Sequence, residues 1–502
     1  MRITVYDGAT TIGGNKIYLE EEGKGIFLDF GMNFARHRLY YDEFLRERSS
    51  RGIYDAIQLG MIPRLNVYRK DLIPSDLDVS GFPKPDVLAV LLSHAHLDHC
   101  GCIGYLDAEI PIAATATTLA ILKAMRDTSK PGPGMEIPYF SKRVPADDSR
   151  VLEASRSAKD PYCCRRFYCT EEMDERLRQF FCESHRSKRI EPPECGKIDE
   201  LGIPFGIEAC ELDHSVYGAC GFLIQGDTTV AYTGDFRVHG RSAEKTERFL
   251  RKARDASVLV IEGTKAGDEG SVSEREVFMN CLKAVENARG LVIADFSPRN
   301  FERLEMFGEI ARRTGRELAV TAKDAYMLKA LECADGIDRM KDCRVYFELK
   351  AQRDAWENQV LELYSEKRVD PAEIRKNSEC FILCFSYYDM KHLLDIRPES
   401  GTYIYSSSEA YSEEQDFDFL RLNSWLRLFS FEIRGFRIDQ NGLHFERGYH
   451  ASGHASSEDL RRAIETADPE VIIPVHTEKA EWFLEQFGER VKKVSDGGSV
   501  EI

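Results

Sequence analysis

Residues 94–99 carry the densest set of potential metal ligands in the chain. They read His-Ala-His-Leu-Asp-His, so three imidazoles and one carboxylate fall within six positions. Imidazole nitrogen and carboxylate oxygen are typical ligands of Zn²⁺, and Mn²⁺ and Fe accept them as well. A catalytic tetrahedral site needs only about three protein ligands, because it keeps one position open. The surplus predicts two metal ions, with further ligands from distant parts of the chain.

Four short apolar runs end close to a residue that can do chemistry. The runs cover residues 87–92 before His94, 229–232 before Asp235, 258–261 before Glu262, and 471–475 before His476. Short β-branched runs are typical of buried strands, and strand ends are where a scaffold presents functional groups. We therefore expect these side chains to meet, together with His214, which lies in an Asp-His-Ser segment.

The hydrophobic pattern changes in the middle of the chain. From about 265 to 430, strand-like runs alternate with helical patterns, which predicts a doubly wound α/β unit. The strand-end candidates lie on both sides of this stretch, so it is predicted to be an insertion. The predicted domains are residues 1–262 and 431–502, which together form one core, and residues 263–430. An irregular, cysteine-bearing insertion is predicted at about 125–205 inside the first part of the core.

Composition narrows the class of protein. The chain has 502 residues and a formal net charge of −17, which argues against coating nucleic acid by bulk electrostatics. No run approaches the ~20 apolar residues that span a bilayer, and the first residues lack an apolar signal segment. We therefore predict no membrane partner. The 14 cysteines match no paired Cys-x-x-Cys spacing, so reduced thiols in a cytoplasmic protein are expected.

On these residues the chain resembles the metallo-β-lactamase-fold hydrolases. It is most similar to their β-CASP branch of nucleases, and there to the ribonuclease J-like proteins of archaea and bacteria. The matching residues are Asp29 in the first motif, residues 94–99 in the second, His214 in the third, Asp235 in the fourth, and Glu262, His454 and His476 in motifs A, B and C. The similarity covers residues 1–124 and 206–502. It implies an α/β fold, an αββα sandwich with an inserted Rossmann-like β-CASP domain.

The resemblance also implies a ligand set for two Zn²⁺ ions, with Mn²⁺ as an alternative. His94, His96 and His214 would hold one ion. Asp98, His99 and His476 would hold the other, and Asp235 would bridge the two. Asp29 would support a ligand histidine from behind rather than bind metal itself.

The same resemblance implies catalytic roles. Asp98 would orient or deprotonate the attacking water, whose pKa the two metals lower. His454 would bind the phosphate or protonate the leaving oxygen, and Glu262 would hold the His454 ring in the required tautomer.

Substrate-binding residues are predicted in two loops. His450 and Ser452 precede His454, and each either contacts phosphate or only shapes the loop. Ser407 and Ser408 lie where ribonuclease J-like proteins carry a Gly-Ser-Gln-Gly-Glu loop that holds RNA phosphates. This chain has Ser-Ser-Ser-Glu-Ala at 406–410, so hydroxyl donors remain but the glycines that allow close backbone approach are missing.

These residues predict a zinc-dependent ribonuclease that acts on single-stranded RNA, 5′→3′ exonucleolytic with endonuclease activity as an addition. His476 favours RNA, since DNA-acting relatives commonly have Val at motif C. Three alternatives stay open. They are a DNA nuclease of the same fold, a hydrolase of small esters or thioesters, and a metal-bound scaffold whose catalysis has lapsed. A homodimer is expected by resemblance only.

Overall fold

The computed structural model describes most of the chain. It covers residues 1–42, 44–130, 132–157, 160–186, 188–268, 270, 272–407 and 413–502, with the backbone alone for 413–417. Ser408, one of the predicted substrate-binding residues, therefore lies outside the described residues.

The first sheet has eight strands. Their spatial order is Cys195–Lys197, Phe167–Cys169, Ile112–Ala114, Asp86–Leu91, Lys24–Phe30, Lys16–Glu21, Arg2–Asp7 and Gly498–Glu501. The last four strands pair antiparallel, whereas Lys24–Phe30 pairs parallel with Asp86–Leu91. Both ends of the chain therefore meet in one sheet.

The second sheet has five strands, in the order Gly206–Glu211, Cys220–Gln225, Thr229–Tyr232, Val258–Glu262 and Val471–Val475. Its inner face packs on the first sheet through residues such as Val5, Leu28, Phe222 and Val260, all fully buried. The outer face is covered by three helices, Ala243–Lys252, Ser457–Ala467 and Ala480–Phe487. On the other side, helix Ala116–Asp127 packs on the first sheet, which completes an αββα sandwich. The predicted α/β fold class is confirmed.

A third sheet is built only from the middle of the chain. Its seven parallel strands have the order Arg368–Val369, Cys343–Tyr346, Glu317–Val320, Phe381–Cys384, Leu291–Asp295, Gly401–Tyr405 and Phe431–Arg434. The helices of this region are Glu274–Glu286, Phe301–Thr314, Ala322–Asp335, Ala355–Leu363, Pro371–Lys376, Leu393–Ile396 and Glu413–Leu428. Strand–helix alternation of this kind is the doubly wound pattern.

The chain leaves the second sheet after Glu262 and returns to it in the adjacent strand. Glu262 is in register with Val475 of the parallel strand Val471–Val475, and the whole third sheet lies between them in sequence. Strand Phe431–Arg434 pairs with Gly401–Tyr405 of the third sheet, although it lies after residue 430, the predicted end of the inserted domain. We therefore propose that the inserted domain runs a few residues past the predicted boundary; the other domain bounds stay predictions.

The region of about 125–205 contains regular structure. Strands Phe167–Cys169 and Cys195–Lys197 extend the first sheet at its edge. Short strand pairs also form between Tyr139–Phe140 and Cys163–Cys164, and between Arg143–Pro145 and Leu152–Ala154. Helix Glu175–Cys182 packs against helix Ala322–Asp335, so this region contacts the inserted domain.

Candidate metal centre

The loop that carries residues 94–99 is fixed by its backbone. Strand Asp86–Leu91 leads into it, and the short helix Leu97–Cys100 ends it. The backbone N–H groups of Gly14 and Asn15 both donate to the carbonyl oxygen of Asp98, at 3.0 and 3.1 Å. Gly14 and Asn15 therefore hold the ligand loop in place.

Gly31 also lies directly against the backbone of the ligand loop, where there is no room for a side chain. A Cβ on Gly31 would lie 1.7 Å from the carbonyl oxygen of Asp98. We expect Gly31→Ala to push the ligand loop out of position and to lower the free energy of unfolding by about 1–3 kcal/mol, as overpacking typically does. Denaturant unfolding measures the loss. Gly81→Ala, where a Cβ meets nothing within 4 Å, is the control; equal stability of the two variants would contradict this account.

Three imidazole nitrogens converge at one point. Nδ1 of His96 lies 3.1 Å from Nε2 of His94 and 3.2 Å from Nε2 of His214. The opposite nitrogens of two of these rings contact other groups. Nδ1 of His214 donates to the carbonyl of Gly453 at 2.6 Å. Nδ1 of His94 faces the hydroxyl of Ser93 at 3.0 Å. The nitrogens that point inward are therefore free to bind a metal.

A second group lies beside the first. Nε2 of His476 is 3.2 Å from Oδ2 of Asp98, and Nε2 of His99 is 3.0 Å from Oδ2 of Asp235. Nδ1 of His99 lies 2.6 Å from Oδ2 of Asp29. Asp29 thus supports the ring of His99 from behind, in the manner that the resemblance implied.

The residues fit divalent cations. Among the described residues, three sets of donor atoms lie within 4.8 Å of one another. One of them, Asp235, Glu262, His454 and His476, includes two residues that are predicted to be catalytic rather than ligands. The other two are the predicted ligand groups, His94, His96, His214 and Asp235, and Asp98, His99, Asp235 and His476. Asp235 belongs to both, and its Oδ1 is buried without a hydrogen-bond partner among the described atoms. A buried carboxylate oxygen without a donor is costly unless a cation binds it. The structure thus brings together all seven predicted ligands.

Burial sets the protonation of the ligand rings. Burial, reinforced by the neighbouring imidazoles, holds the pKa of His94 and His214 well below the ordinary value. Burial likewise lowers the pKa of His96 to about 3. Neutral imidazole is the form that binds metal, so these three rings are ready to bind. In His99, burial is outweighed by the carboxylates of Asp235 and Asp29, which raise its pKa.

Two residues of the centre have a strained backbone. Asp29 has φ of +60° and His476 has φ of +52°, in the left-handed region that non-glycine residues rarely adopt. Each conformation costs of order 1–3 kcal/mol, and such residues cluster at functional sites. The backbone N–H of His476 donates to the carbonyl of Gly8 at 2.6 Å, which helps to hold the ring toward Asp98.

His454 and Glu262 form a pair at the edge of the centre. Nδ1 of His454 lies 3.0 Å from Oε2 of Glu262, and the N–H of Phe236 donates to Oε1 of Glu262 at 2.9 Å. Burial disfavours the charged ring, but Glu262, with Asp235, raises the pKa of His454 to about 9. The carboxylate of Glu262 is buried, whereas the side chain of His454 is 22% exposed.

The described residues predicted to bind substrate share one cavity of about 620 Å³, here called the first cleft. It is lined by residues that include Lys265, Tyr405, Ser407, Arg447, His450, Ser452 and His454. Ser452 shapes the loop, because its hydroxyl accepts from the N–H of His454 at 3.1 Å. Burial lowers the pKa of His450 to about 3, and its buried Nδ1 has no partner among the described residues.

A buried ionic network connects the sandwich to the inserted domain. Arg237 donates to Asp213 at 3.2 Å and to Glu274 at 2.8 Å, and it also pairs with Glu302. Arg303 donates to Glu274 at 2.8 Å and to the carbonyl of Ser406 at 3.0 Å. Sequence reasoning missed these residues, since charges so far apart in the chain carry no local pattern. The network positions Ser406 and the residue before His214.

All 14 cysteines are free thiols, and none belongs to a potential metal group in the described part of the chain. No described helix is long and apolar enough to cross a membrane.

Two family models match the chain. The model of the metallo-β-lactamase superfamily matches residues 57–151, and that of a Zn-dependent metallo-hydrolase RNA specificity domain matches residues 444–494. The first contains the ligand loop, and the second contains His454 and His476. The fold and the site thus have the features of a metallo-β-lactamase-fold metallo-hydrolase.

Individual proteins that resemble the chain include two ribonucleases J and one protein of unknown function. The chain is 22% identical to ribonuclease J of Pyrococcus abyssi, over 95% of this chain and 90% of that protein. It is also 22% identical to ribonuclease J of Sinorhizobium meliloti, over 82% of this chain and 61% of that protein. A crystal structure of a protein of unknown function from Enterococcus faecalis has the same fold, with a TM-score of 0.68, 22% identity and 99% of both chains covered. The resemblance to β-CASP, ribonuclease J-like proteins is confirmed.

Proposed function

We propose that the chain is a zinc-dependent ribonuclease that hydrolyses phosphodiester bonds of single-stranded RNA. The observation that carries the proposal is the His454–Glu262 pair, which lies between a two-metal ligand set and the first cleft. A hydrolase of small esters needs the ligand set but not this pair. The RNA specificity domain at 444–494 and the ribonuclease J relatives support the same assignment.

The proposed cofactor is two Zn²⁺ ions per chain, with Mn²⁺ as an alternative. When bound, such a pair lowers the pKa of water and neutralises charge on a phosphoryl group. Asp98 accepts a proton from the attacking water or fixes its direction. His454, protonated because Glu262 raises its pKa to about 9, donates a proton to the leaving oxygen or binds the phosphate. Glu262 keeps the ring in place throughout.

We further propose 5′→3′ trimming, with internal cleavage as an additional activity. Ser407 lines the first cleft and its hydroxyl lies 2.6 Å from that of Ser297, so a pair of hydroxyl groups is available to a terminal phosphate. The test uses 3′-labelled RNA with a 5′-monophosphate, a 5′-triphosphate or a 5′-hydroxyl end. Progressively shorter labelled products that depend on the 5′ end support trimming. Discrete fragments that ignore the 5′ end indicate internal cleavage instead.

The same assay tests the alternatives. A matched DNA strand that is cut faster than RNA would make the chain a DNA nuclease. Two bound metals with no turnover of any nucleic acid or ester would indicate a scaffold.

We expect Ser407→Ala to reduce the preference for a 5′-monophosphate over a 5′-hydroxyl end by about tenfold to a hundredfold, the effect of one hydrogen bond to a charged group. The ratio of kcat/KM values on the two RNAs measures the effect. Ser424→Ala, on the exposed side of helix Glu413–Leu428, should leave the ratio unchanged. An unchanged ratio in Ser407→Ala would remove this residue from the proposed phosphate site.

The homodimer and the cytoplasmic location also remain proposals. Light scattering of the purified chain tests the first, and cell fractionation tests the second.

A further inference from the structure

Arg299 is a cationic side chain of the inserted domain that lies next to the metal centre. It lies between strand Leu291–Asp295 and helix Phe301–Thr314. Together with Leu97, the residue between His96 and Asp98, it lines a second cavity of about 550 Å³, here called the second cleft. The first cleft reaches the centre at His454, whereas the second reaches it at Leu97.

The guanidinium group of Arg299 lacks a carboxylate partner in the described part of the chain. Its Nη1 lies 3.3 Å from the sulfur of Met125, a weak acceptor, and its Nε is buried with no hydrogen-bond partner. Arg237 and Arg303, by contrast, are each paired with carboxylates in the buried network. A buried guanidinium N–H without an acceptor is costly, so an anionic ligand that reaches it would stabilise the side chain.

The backbone of Arg299 is strained in the same way as two residues of the metal centre. Its φ is +70°, and the other described non-glycine residues with positive φ are Glu22, Asp29, Arg397, Ser430, Asp468 and His476. Arg397 and Asp468 end helices, where this conformation is common. Asp29 and His476 belong to the centre. A bulky residue kept in this region before a helix indicates that the position of its side chain matters.

The second cleft places the guanidinium beside the ligand loop, because Arg299 and Leu97 line it together. Burial lowers the pKa of Arg299, while Cys100 and the carboxylate of Asp98 act in the opposite direction. A positive charge that lines the same cavity as Leu97 would meet the phosphate that follows or precedes one bound at the centre.

The rest of the second cleft suits nucleotides. Its lining includes three aromatic side chains that are at least partly exposed, those of Phe296, Trp356 and Tyr388. Lys323 and Lys350 also line it, together with the carboxylates of Asp324, Glu348, Glu357 and Asp389; Lys350 is paired with Glu348 and Glu357, so Arg299 and Lys323 are the cations of this cleft that lack a carboxylate partner among the described residues. Proteins that bind single strands combine aromatic surfaces, on which bases stack, with cations that follow the backbone.

We propose that Arg299 binds the backbone phosphate adjacent to the scissile one, with the adjoining nucleotides in the second cleft. The proposal rests on the proposed ribonuclease function and extends it to a residue and a cavity that the motifs do not include. A strand bound in this way would pass the metal centre and contact both clefts.

The test compares wild type, Arg299→Gln and Arg299→Lys as metal-loaded full-length proteins. Turnover is measured on an oligouridylate of about 10 nucleotides, a length within the range of single-strand sites, and on bis(p-nitrophenyl) phosphate, which has one phosphate and no strand. Binding is measured with a phosphorothioate oligouridylate at several salt concentrations. The control is Arg312→Gln, which removes a charge from the exposed side of helix Phe301–Thr314.

We expect Arg299→Gln to lower kcat/KM on the oligonucleotide by about tenfold to a hundredfold more than on the small diester, mainly through KM. The slope of log affinity against log salt should become less steep by about 0.7, as for one lost phosphate contact on a single strand. Arg299→Lys should recover part of both effects, and Arg312→Gln should match wild type.

Two results would overturn the proposal while leaving the proposed function intact. One is an active wild type with an unchanged salt slope in Arg299→Gln. The other is an equal loss on both substrates, which would make Arg299 a structural support of the metal centre. A wild type that neither binds nor cleaves the oligonucleotide would instead refute the ribonuclease function, and this proposal with it.

Discussion

Asp235→Ala is expected to lower the metal content from about two ions per chain to about none and to abolish turnover, by a thousandfold or more. The reason is geometric. Asp235 contributes to both ligand groups, so its loss weakens both sites at once, and its Oδ1 has no hydrogen-bond partner in the described structure. Elemental analysis of the dialysed protein and initial rates on RNA measure the two effects.

Two variants make this result specific. His214 belongs to one ligand group only, so His214→Ala should retain about one ion per chain. Asp227→Ala removes an exposed carboxylate from a turn of the second sheet and should match wild type. If Asp235→Ala kept two ions, the shared-ligand arrangement would be wrong, even if activity were lost.

His454→Ala is expected to lower kcat on RNA by about 10²–10⁴-fold, the usual contribution of a positioned acid or base. Because His454 lies beside the ligand groups rather than at their centre, most of the metal should remain bound. Steady-state kinetics and elemental analysis on the same preparation separate the two effects. His444→Ala, which alters a histidine paired with Asp439 on a surface hairpin, is the matched control.

This variant also decides between a nuclease and a hydrolase of small esters. If His454→Ala cleaved RNA at the wild-type rate while Asp98→Ala did not, the role of the pair would be refuted. The same pattern with esters as the better substrates would favour the small-ester alternative. Loss of both metals in His454→Ala would make the residue a ligand instead.

Glu262 gives the pair a pH dependence. The carboxylate of Glu262 outweighs burial and raises the pKa of His454, so the ring is protonated at neutral pH and loses its proton as the pH rises toward about 9. An activity that needs the proton should therefore fall at alkaline pH. Removing the charge in Glu262→Gln should move this fall to lower pH, and a kcat profile against pH measures the shift. An unchanged profile would indicate that Glu262 does not act through His454.

Local patterns in the sequence were sufficient for most of the fold and for the ligand types. The runs before His94, Asp235, Glu262 and His476 predicted buried strands, and each forms one. This works because a buried strand needs a short apolar run, and the residue after the run lies at the end of that strand. Neither property depends on distant parts of the chain. The inserted α/β unit was predictable for the same reason, from its strand–helix alternation.

Other parts of the site depend on contacts between distant residues. Gly31 is one glycine among 36 in the sequence, and only its approach to the carbonyl of Asp98 explains why a side chain cannot fit there. The region of about 125–205 looked irregular, yet two of its strands extend the first sheet. Each of these two strands has only three residues, which is too short to leave a periodic pattern in the sequence.

The sequence by itself determined which residue types could bind metal and which class of hydrolase they resemble, because six adjacent positions and four strand ends carry that information locally. Only the tertiary structure decided that Oδ1 of Asp235 is buried without a hydrogen-bond partner among the described atoms, that the Glu262 carboxylate raises the pKa of His454, and that Arg299 lies beside the ligand loop without a carboxylate partner in the described part of the chain. Those properties arise from distances between segments about 20 to 240 residues apart in the chain, and pKa shifts, burial and unpaired charges exist only once these segments have packed together.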